Sequence, residues 1–543
     1  MREDIHENLD VFPRFLAKWM RWFGGRKSKH SWIVWALPGL IVIYLACIAL
    51  FGTGPVGNCG NDTLIFLNGA WRILNGQIPH RDFYLALGPL EYMIMAAGLL
   101  ITRGTPQGLS VGIALSGVIA AFWGWWIAQS TMGTIPAILV ASWIAVTATA
   151  PAPLGMPAWV SCAMAYNRLG YALLGVLLVE CAFVREHAHF RGGFSSGVIA
   201  ILLLFLKLSF FGAAALFLLG TFPLRRADGR RWLGILAGAA ASLAAFSAYL
   251  HFALPAFVND MLLAIDSRGS RLSWIRIVGR LPGISEIAIV FTLTVLASFL
   301  AGRGKFWSGR GLVTLLLGCS TIVASAVLTA TNARESDFRM TSFWLFVLAA
   351  QLAEVYPGTK EKTAVAVLAL VGIGGVVSQF YLDYYSMTVL LRYRLTRVWS
   401  TGAVIPGSGV DMLRFFDGPS LGGDNGRLYV TDVTDGLHLL ESHSAPGETV
   451  ATIGFHDPFT YLERRKPALG GSTWLLLGNN ISRAHLPPAQ RVFGDADLIM
   501  EPHYESSHYE SDQLIEQAYQ GYLTEHYSLV AQSASWMLYR RKQ

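Results

Sequence analysis

The sequence predicts an α-helical polytopic membrane protein that ends in a smaller soluble α/β domain, and three observations carry that prediction. Hydrophobic side chains make up 53% of the 543 residues and charged ones only 14%, against roughly 25% charge in soluble domains. Arg and Lys gather in short clusters between apolar runs, the pattern of loops kept on the cytoplasmic face of a membrane. After about residue 381 the long apolar runs cease and short strand-like runs alternate with turn residues. The net charge of +7 is accounted for by the loop clusters, so no nucleic-acid partner is expected.

Residues 1–30 carry Arg14, Lys18, Arg21, Arg26, Lys27 and Lys29 ahead of the apolar run 31–51. They read as a cytoplasmic basic N-terminus before an uncleaved anchor, since no small-residue cleavage site follows a short apolar core. Further apolar stretches cover 89–101, 108–129, 134–150, 168–184, 195–206, 209–222, 232–254, 285–300, 310–330, 341–355 and 362–380. The basic clusters at 185–191, 223–231, 303–310 and 357–362 should all lie inside. That parity holds only if 195–206 and 209–222 cross separately, as a short hairpin with Lys207 at its outer apex. One segment is then too many. The stretch 89–101 is the shortest candidate and contains Glu91, so it is read as re-entrant or interfacial, leaving about eleven spans. The outer loops become 52–107, 151–167, 255–284 and 331–340.

The transmembrane domain thus runs over 31–380, and 381–543 forms the outer domain, with "GAVIPGSG" (402–409) marking the way into it. Strands are expected at 427–432, 449–454, 472–478 and 533–541, and a helix near 511–527. No internal repeat is visible. Of the five cysteines, Cys59 and Cys162 fall in outer loops, where they either form a disulfide or stay unpaired; no metal-ligand spacing occurs among the five.

The first outer loop holds the densest polar information, in "NCGNDTLIFLNGAWRILNGQIPHRDFYLALGPLEY" (58–92). Leu64, Leu67, Trp71 and Leu74 recur at helical spacing while Asp62, Asn68, Arg72 and Asn75 take other faces, which predicts an amphipathic helix lying on the membrane. Asn61 or Asp62 would cap its start, and Asn75-Gly76 followed by Pro79 would end it.

An acid shortly after the first span, followed by "GAWRILNGQIPHRDFYLALGPLEY", resembles the first outer loop of the C-type (GT-C) glycosyltransferases, among them the protein O-mannosyltransferases and the lipid A aminoarabinose transferases. The likeness extends through a multispan body, short paired helices around a Lys, and an outer C-terminal α/β domain. It implies a fold of about eleven to thirteen spans in a bacterial inner membrane, with active site and C-terminus on the extracytoplasmic side. It implies a polyprenyl-phosphate-linked sugar as donor and an acceptor that is a glycolipid, a surface or cell-wall polysaccharide, or a protein. The acid matching the family's first-loop residue is Asp62, and Asp82 in "HRDFY" matches a second. Relatives often carry two adjacent acids, whereas Asn61 and Thr63 flank Asp62 here, which weakens the case for a divalent metal without removing it; no other cofactor is implied.

That chemistry needs a base for the acceptor proton, which suits a part-buried carboxylate, and cations for the departing lipid phosphate. Lys207 leads the phosphate candidates, because a cation between apolar half-helices is costly unless it meets an anion or snorkels. Arg168, Arg334 and Arg339 follow, each with a solvated loop charge as the plainer reading. His80, Arg81 and Glu91 are candidate sugar or acceptor contacts. Glu335 and Asp337 are explained equally well by ion pairs to Arg334 or Arg339. A transporter or flippase of a lipid-linked sugar is the alternative, although no matched pair of broken helices appears in two halves. A polymer ligase would concentrate Arg and His in one large outer loop.

Overall fold

The structure is a computed structural model describing residues 31–56, 60–153, 156–183, 189–222, 229–267, 284–305, 307–331, 339–355, 362–406, 409–417, 426–503 and 509–543. Its first half sets α1 (Ser31–Phe51), β1 (Pro55–Val56), α2 (Gly60–Leu74), α3 (Leu90–Ile101), α4 (Gly108–Met132), α5 (Thr134–Thr149), α6 (Ala165–Ala182), α7 (His189–Leu206) and α8 (Leu208–Gly220) in order. There follow α9 (Gly229–Tyr249), α10 (Leu254–Ser267), α11 (Ile284–Ala301), α12 (Gly309–Thr331), α13 (Arg339–Val355) and α14 (Lys362–Leu395). By length and composition alone, α4, α9 and α12 are long and apolar enough to cross a membrane, and several shorter apolar helices accompany them.

Contacts between helices fix the direction of each. Helices α7 and α9 run parallel: a Cβ on Gly234 would strike Phe190, and one on Gly238 would strike Phe194. The chain between them must therefore reverse, and α8 is the returning arm, antiparallel to α12 with Ser320 Oγ donating to Leu216 O. The reversal falls at Lys207, as the parity of basic loops requires. Arg231 donates to Glu180 O, Gln351 to Ala182 O, and Thr314 meets Gln351. These contacts gather the helix ends that flank all four basic clusters at one end of the bundle. At the other end Gln107 donates to Ala49 O, Arg168 to Ala150 O, and Arg339 pairs with Asp383. Close contacts show that consecutive helices reverse direction, as where Gly117 and Gly124 of α4 meet Thr149 and Ile144 of α5, and Gly372 and Gly375 of α14 meet Phe346 and Ser342 of α13.

Helix α3 touches the C-terminal domain at both ends: Tyr92 near its start meets Thr473, and Gly104 just past its end accepts from Tyr461. Between them Ile94 and Gly98 pack closely against Gly112 and Gly108 of α4.

After α14 a 3-10 turn (Arg397–Thr401) leads to β2 (Arg414–Phe415), α15 (Gly426–His443), β3 (Val450–Thr452), β4 (Leu498–Pro502), α16 (Tyr509–His526), β5 (Tyr527–Gln532) and β6 (Trp536–Arg541). The sheet order is β3-β4-β6-β5, with β3 parallel to β4 and the other pairs antiparallel. A separate parallel pair joins β1 to β2, so the chain just after α1 is stitched to the start of the tail.

Several expectations are corrected. The boundary drawn at 380/381 falls inside α14, which continues to Leu395 because Met387 and Leu390 pack into the cluster that joins bundle and tail. Residues 427–432 are not a strand but part of α15, whose buried Val430, Val433, Gly436 and Leu440 follow helical spacing. Residues 472–478 make only isolated bridges, with Tyr84, His456 and Ile481. Strands β4 and β5 were not foreseen. The first-loop helix α2 does not lie on the bilayer surface; its polar face is covered by the tail. It starts at Gly60, so Asn61 and Asp62 sit in the first turn rather than at the cap position.

Two cores follow. One fills the bundle around Trp143, Trp344 and Phe210. The other runs from Tyr44, Leu64 and Leu67 through Tyr92 to Val410, Phe415 and Tyr461, so first loop and tail share one apolar interior.

Candidate functional site

Helix α2 is held by its polar residues. Arg72, 1% exposed, donates to Asn68 Oδ1 (3.1 Å), Gln77 Oε1 (3.0 Å), Ala468 O (3.0 Å) and Gly470 O (2.8 Å). Asn68 donates to Asp457 O and the Trp71 indole to Arg465 O. A buried guanidinium needs this many acceptors, and four of these six bonds reach into the tail. The helix ends as read from sequence, with Gly76 at φ 82°.

The chain then turns through Pro79–Phe83. Ile78 N donates to Asp82 Oδ2 (2.7 Å), Arg81 donates to both Asp82 oxygens, and Gly470 N donates to Asp82 O. Burial works to raise the Asp82 carboxyl, but the Arg81 guanidinium and the Ile78 N–H together bring it below the ordinary carboxylate range. Asp82 and Arg81 thus hold the turn together. His80, fully buried, places Nδ1 2.9 Å from Asp260 Oδ2, and Arg491 of the tail pairs with Asp260 Oδ1 at 2.8 Å while donating to His80 O. Burial lowers the His80 pKa more than Asp260 raises it. Neither Asp260 nor Arg491 was legible as a site residue; the nearest signal was an acid in an expected outer loop.

At Gly88 the loop comes down onto the helix break. Gly88 N donates to Leu206 O at 3.2 Å, and a Cβ here would stand 1.9 Å from Phe205 O, so only glycine fits. The next residue of the hairpin is Lys207, extended at φ −166° and 6% exposed. Its Nζ donates to Asn167 Oδ1 (3.1 Å) and lies 5.0 Å from the Tyr166 ring centroid. The Tyr166 ring neighbours Phe66 of α2 at 6.4 Å, and Phe66 neighbours Tyr92 at 5.9 Å. One line of aromatic contacts therefore joins Lys207 to the first loop.

Asp62 is half-buried in the first turn of α2, where the exposed N–H groups of a helix favour a carboxylate. Its charge acts on Tyr92 and on Cys162. Burial pushes the Cys162 thiol up to about 11; Arg168 opposes the rise, and Glu91 and Asp62 add to it. Cys162 is a free thiol, and Cys59 lies outside the described residues. Asp62, Glu91 and Arg168 are thus all felt electrostatically by the Cys162 thiol. Glu91 is buried in the first turn of α3, and desolvation raises it to about 7 against the pull of Arg168. Arg168 ties down the 150–163 loop through Ala150 O, Ser161 O and Ala163 O.

Arg339 stands apart. Both its terminal nitrogens meet Asp383 at 2.7 Å, so its charge is matched inside the bundle. Asp383 went unnoticed because the last apolar window stopped at 380. Arg334, Glu335 and Asp337 lie outside the described residues. No group of three or more His, Cys, Asp or Glu residues that could hold a metal occurs among the described residues.

The tail adds a lining near the start of α2. A Cβ on Gly60 would meet Phe415 and Tyr429, and the Tyr429 hydroxyl lies 2.8 Å from His456 Nε2. No protein-family model matches the chain, and no curated protein matches it. Solved structures similar to it include two of ArnT from Cupriavidus metallidurans. The one bound to undecaprenyl phosphate shares 12% identity at a TM-score of 0.44, and the apo structure 11% at 0.43. Each match covers 94% of this chain and 98% of the other.

Proposed function

We propose that this chain is an integral membrane glycosyltransferase that moves a sugar from a polyprenyl-phosphate donor to an acceptor on the extracytoplasmic side. The observation that carries the reading is Lys207, a buried ammonium at the turn of a helical hairpin, capped by Gly88 of the loop that bears Asp62 and Glu91. A lysine so placed is suited to an anion, and the lipid phosphate is an anion that must sit at the membrane edge. The first-loop resemblance to GT-C enzymes supports the same assignment.

In this mechanism Lys207 holds the donor phosphate, with Arg168 adding positive potential from behind the loop it braces. Asp62 takes the proton from the acceptor hydroxyl or amine as that atom attacks the anomeric carbon. The bond between that carbon and the phosphate oxygen breaks, and its electron pair leaves with the phosphate, where Lys207 stabilises the charge. Glu91, raised by burial, orients the acceptor or shares the proton.

Purified protein incubated with radiolabelled polyprenyl-phosphate sugar and membrane extract should release free polyprenyl phosphate and pass the label to another molecule. Label that only changes leaflet, still attached to its carrier, would make the chain a transporter.

A further inference from the structure

Four arginines at the tail end of the bundle have no place in that chemistry. Arg392 and Arg394 close α14, Arg397 opens the 3-10 turn, and Arg414 begins β2. Trp399 gathers two of them: the Arg394 guanidinium lies 4.2 Å from its ring centroid and that of Arg414 5.6 Å away. Arg394 also lies 5.7 Å from the ring of Phe51, the last residue of α1. Arg392 and Arg397 are exposed. Among the described residues none of the four pairs with a carboxylate, and the buried Nε of Arg414 has no hydrogen-bond partner. The nearby Asp417 is taken by Arg427.

Position identifies what would neutralise them. Phe51 ends the first bundle helix, and Leu50 (56% exposed) and Leu395 (67% exposed) present apolar surface beside the cluster. Cations, an aromatic ring and exposed leucines at one level are the composition of a membrane–water interface. The Trp399 ring holds two guanidinium groups close together, and a guanidinium offers several N–H donors in a planar fork that suits phosphate oxygens.

We propose that Arg394 and Arg414, held at Trp399, together with the exposed Arg392 and Arg397 that flank Arg394 in the chain, bind the phosphate-bearing headgroup of a net-anionic lipid in the leaflet next to the tail. The site is separate from Lys207 and does not depend on the transfer reaction. The full-length protein in neutral detergent, offered equal phosphatidylglycerol and phosphatidylcholine, should retain the anionic lipid preferentially when read by native mass spectrometry. Arg392→Gln with Arg397→Gln, both exposed and expected to fold normally, should lower that preference roughly fivefold per arginine. Arg394→Gln with Arg414→Gln should lower it further, and Arg394→Lys should recover only part of it. Lys207→Ala should leave the preference unchanged, which separates this site from the donor site. Equal retention of both lipids by the native chain, or an undiminished preference in the Arg392/Arg397 variant, would overturn the proposal. Competition by millimolar inorganic phosphate alone would also overturn it, by making this a site for free anions.

Discussion

Asp62 and Asp82 are two carboxylates in one loop, and their surroundings divide their roles. Asp82 is consumed by its own turn, between Ile78 N and the Arg81 guanidinium. Asp62 stands half-buried in a first helical turn, and its charge is felt by Tyr92 and Cys162. Asp62→Asn keeps the polar side chain and the helix start, so the variant should fold like the native chain yet lose roughly two to four orders of magnitude in turnover. Transfer at close to the native rate would take Asp62 out of the chemistry and turn attention to Glu91. A different division separates Arg339 from Lys207. Arg339→Ala leaves Asp383 buried without its bidentate partner, which should cost about 3–5 kcal/mol of stability. Its midpoint of thermal unfolding should fall while donor affinity in the surviving fold holds. Lys207→Ala should do the reverse, and a donor affinity that drops with Arg339→Ala at unchanged stability would restore Arg339 as a phosphate ligand.

Among the elements, the hairpin of α7 and α8 shows what sequence could and could not specify. Charge parity alone required a reversal at Lys207, and the parallel packing of α7 on α9 supplies it. What sequence left open was what meets Lys207, because Gly88 and Lys207 are brought together only by tertiary packing. Gly88→Ala places a methyl group against Phe205 O, so the first loop must lift from the hairpin. Donor transfer should fall at least tenfold while the bundle stays folded, since overpacking at one contact strains neighbours by about 1–3 kcal/mol. Near-native transfer by Gly88→Ala would show that this close approach does not matter. The misread stretch 427–432 has a local cause: "RLYVTD" alternates well enough for a strand, and only its continuation to Leu440 reveals the helical spacing. The helix α2 was legible in its bounds but not in its burial, because one amphipathic pattern serves equally for a bilayer surface and for the underside of a domain.

For the molecule as a whole, the tail and the first loop are one unit. His80, Asp260 and Arg491 join the loop, α10 and the tail in a single buried cluster. Because burial lowers His80 in the folded state, the unfolded chain binds its proton more readily, and the contribution of this cluster is full above the ordinary value of 6.5 and lost as pH falls below it. Proteolysis of the first loop should therefore quicken as pH is lowered through that region, and His80→Gln should flatten the dependence; an unchanged profile in His80→Gln would place the acid sensitivity elsewhere. The same union bears on how the chain is made. Arg72 comes early in synthesis, yet the carbonyls of Ala468 and Gly470 that it needs emerge almost four hundred residues later. Until then a guanidinium on the first loop is denied two of its four acceptors, and the helix bearing Asp62 has no roof. A nascent or prematurely terminated chain thus carries the loop in an unfinished state, and the first loop takes its final form only when the last quarter of the chain has closed over it.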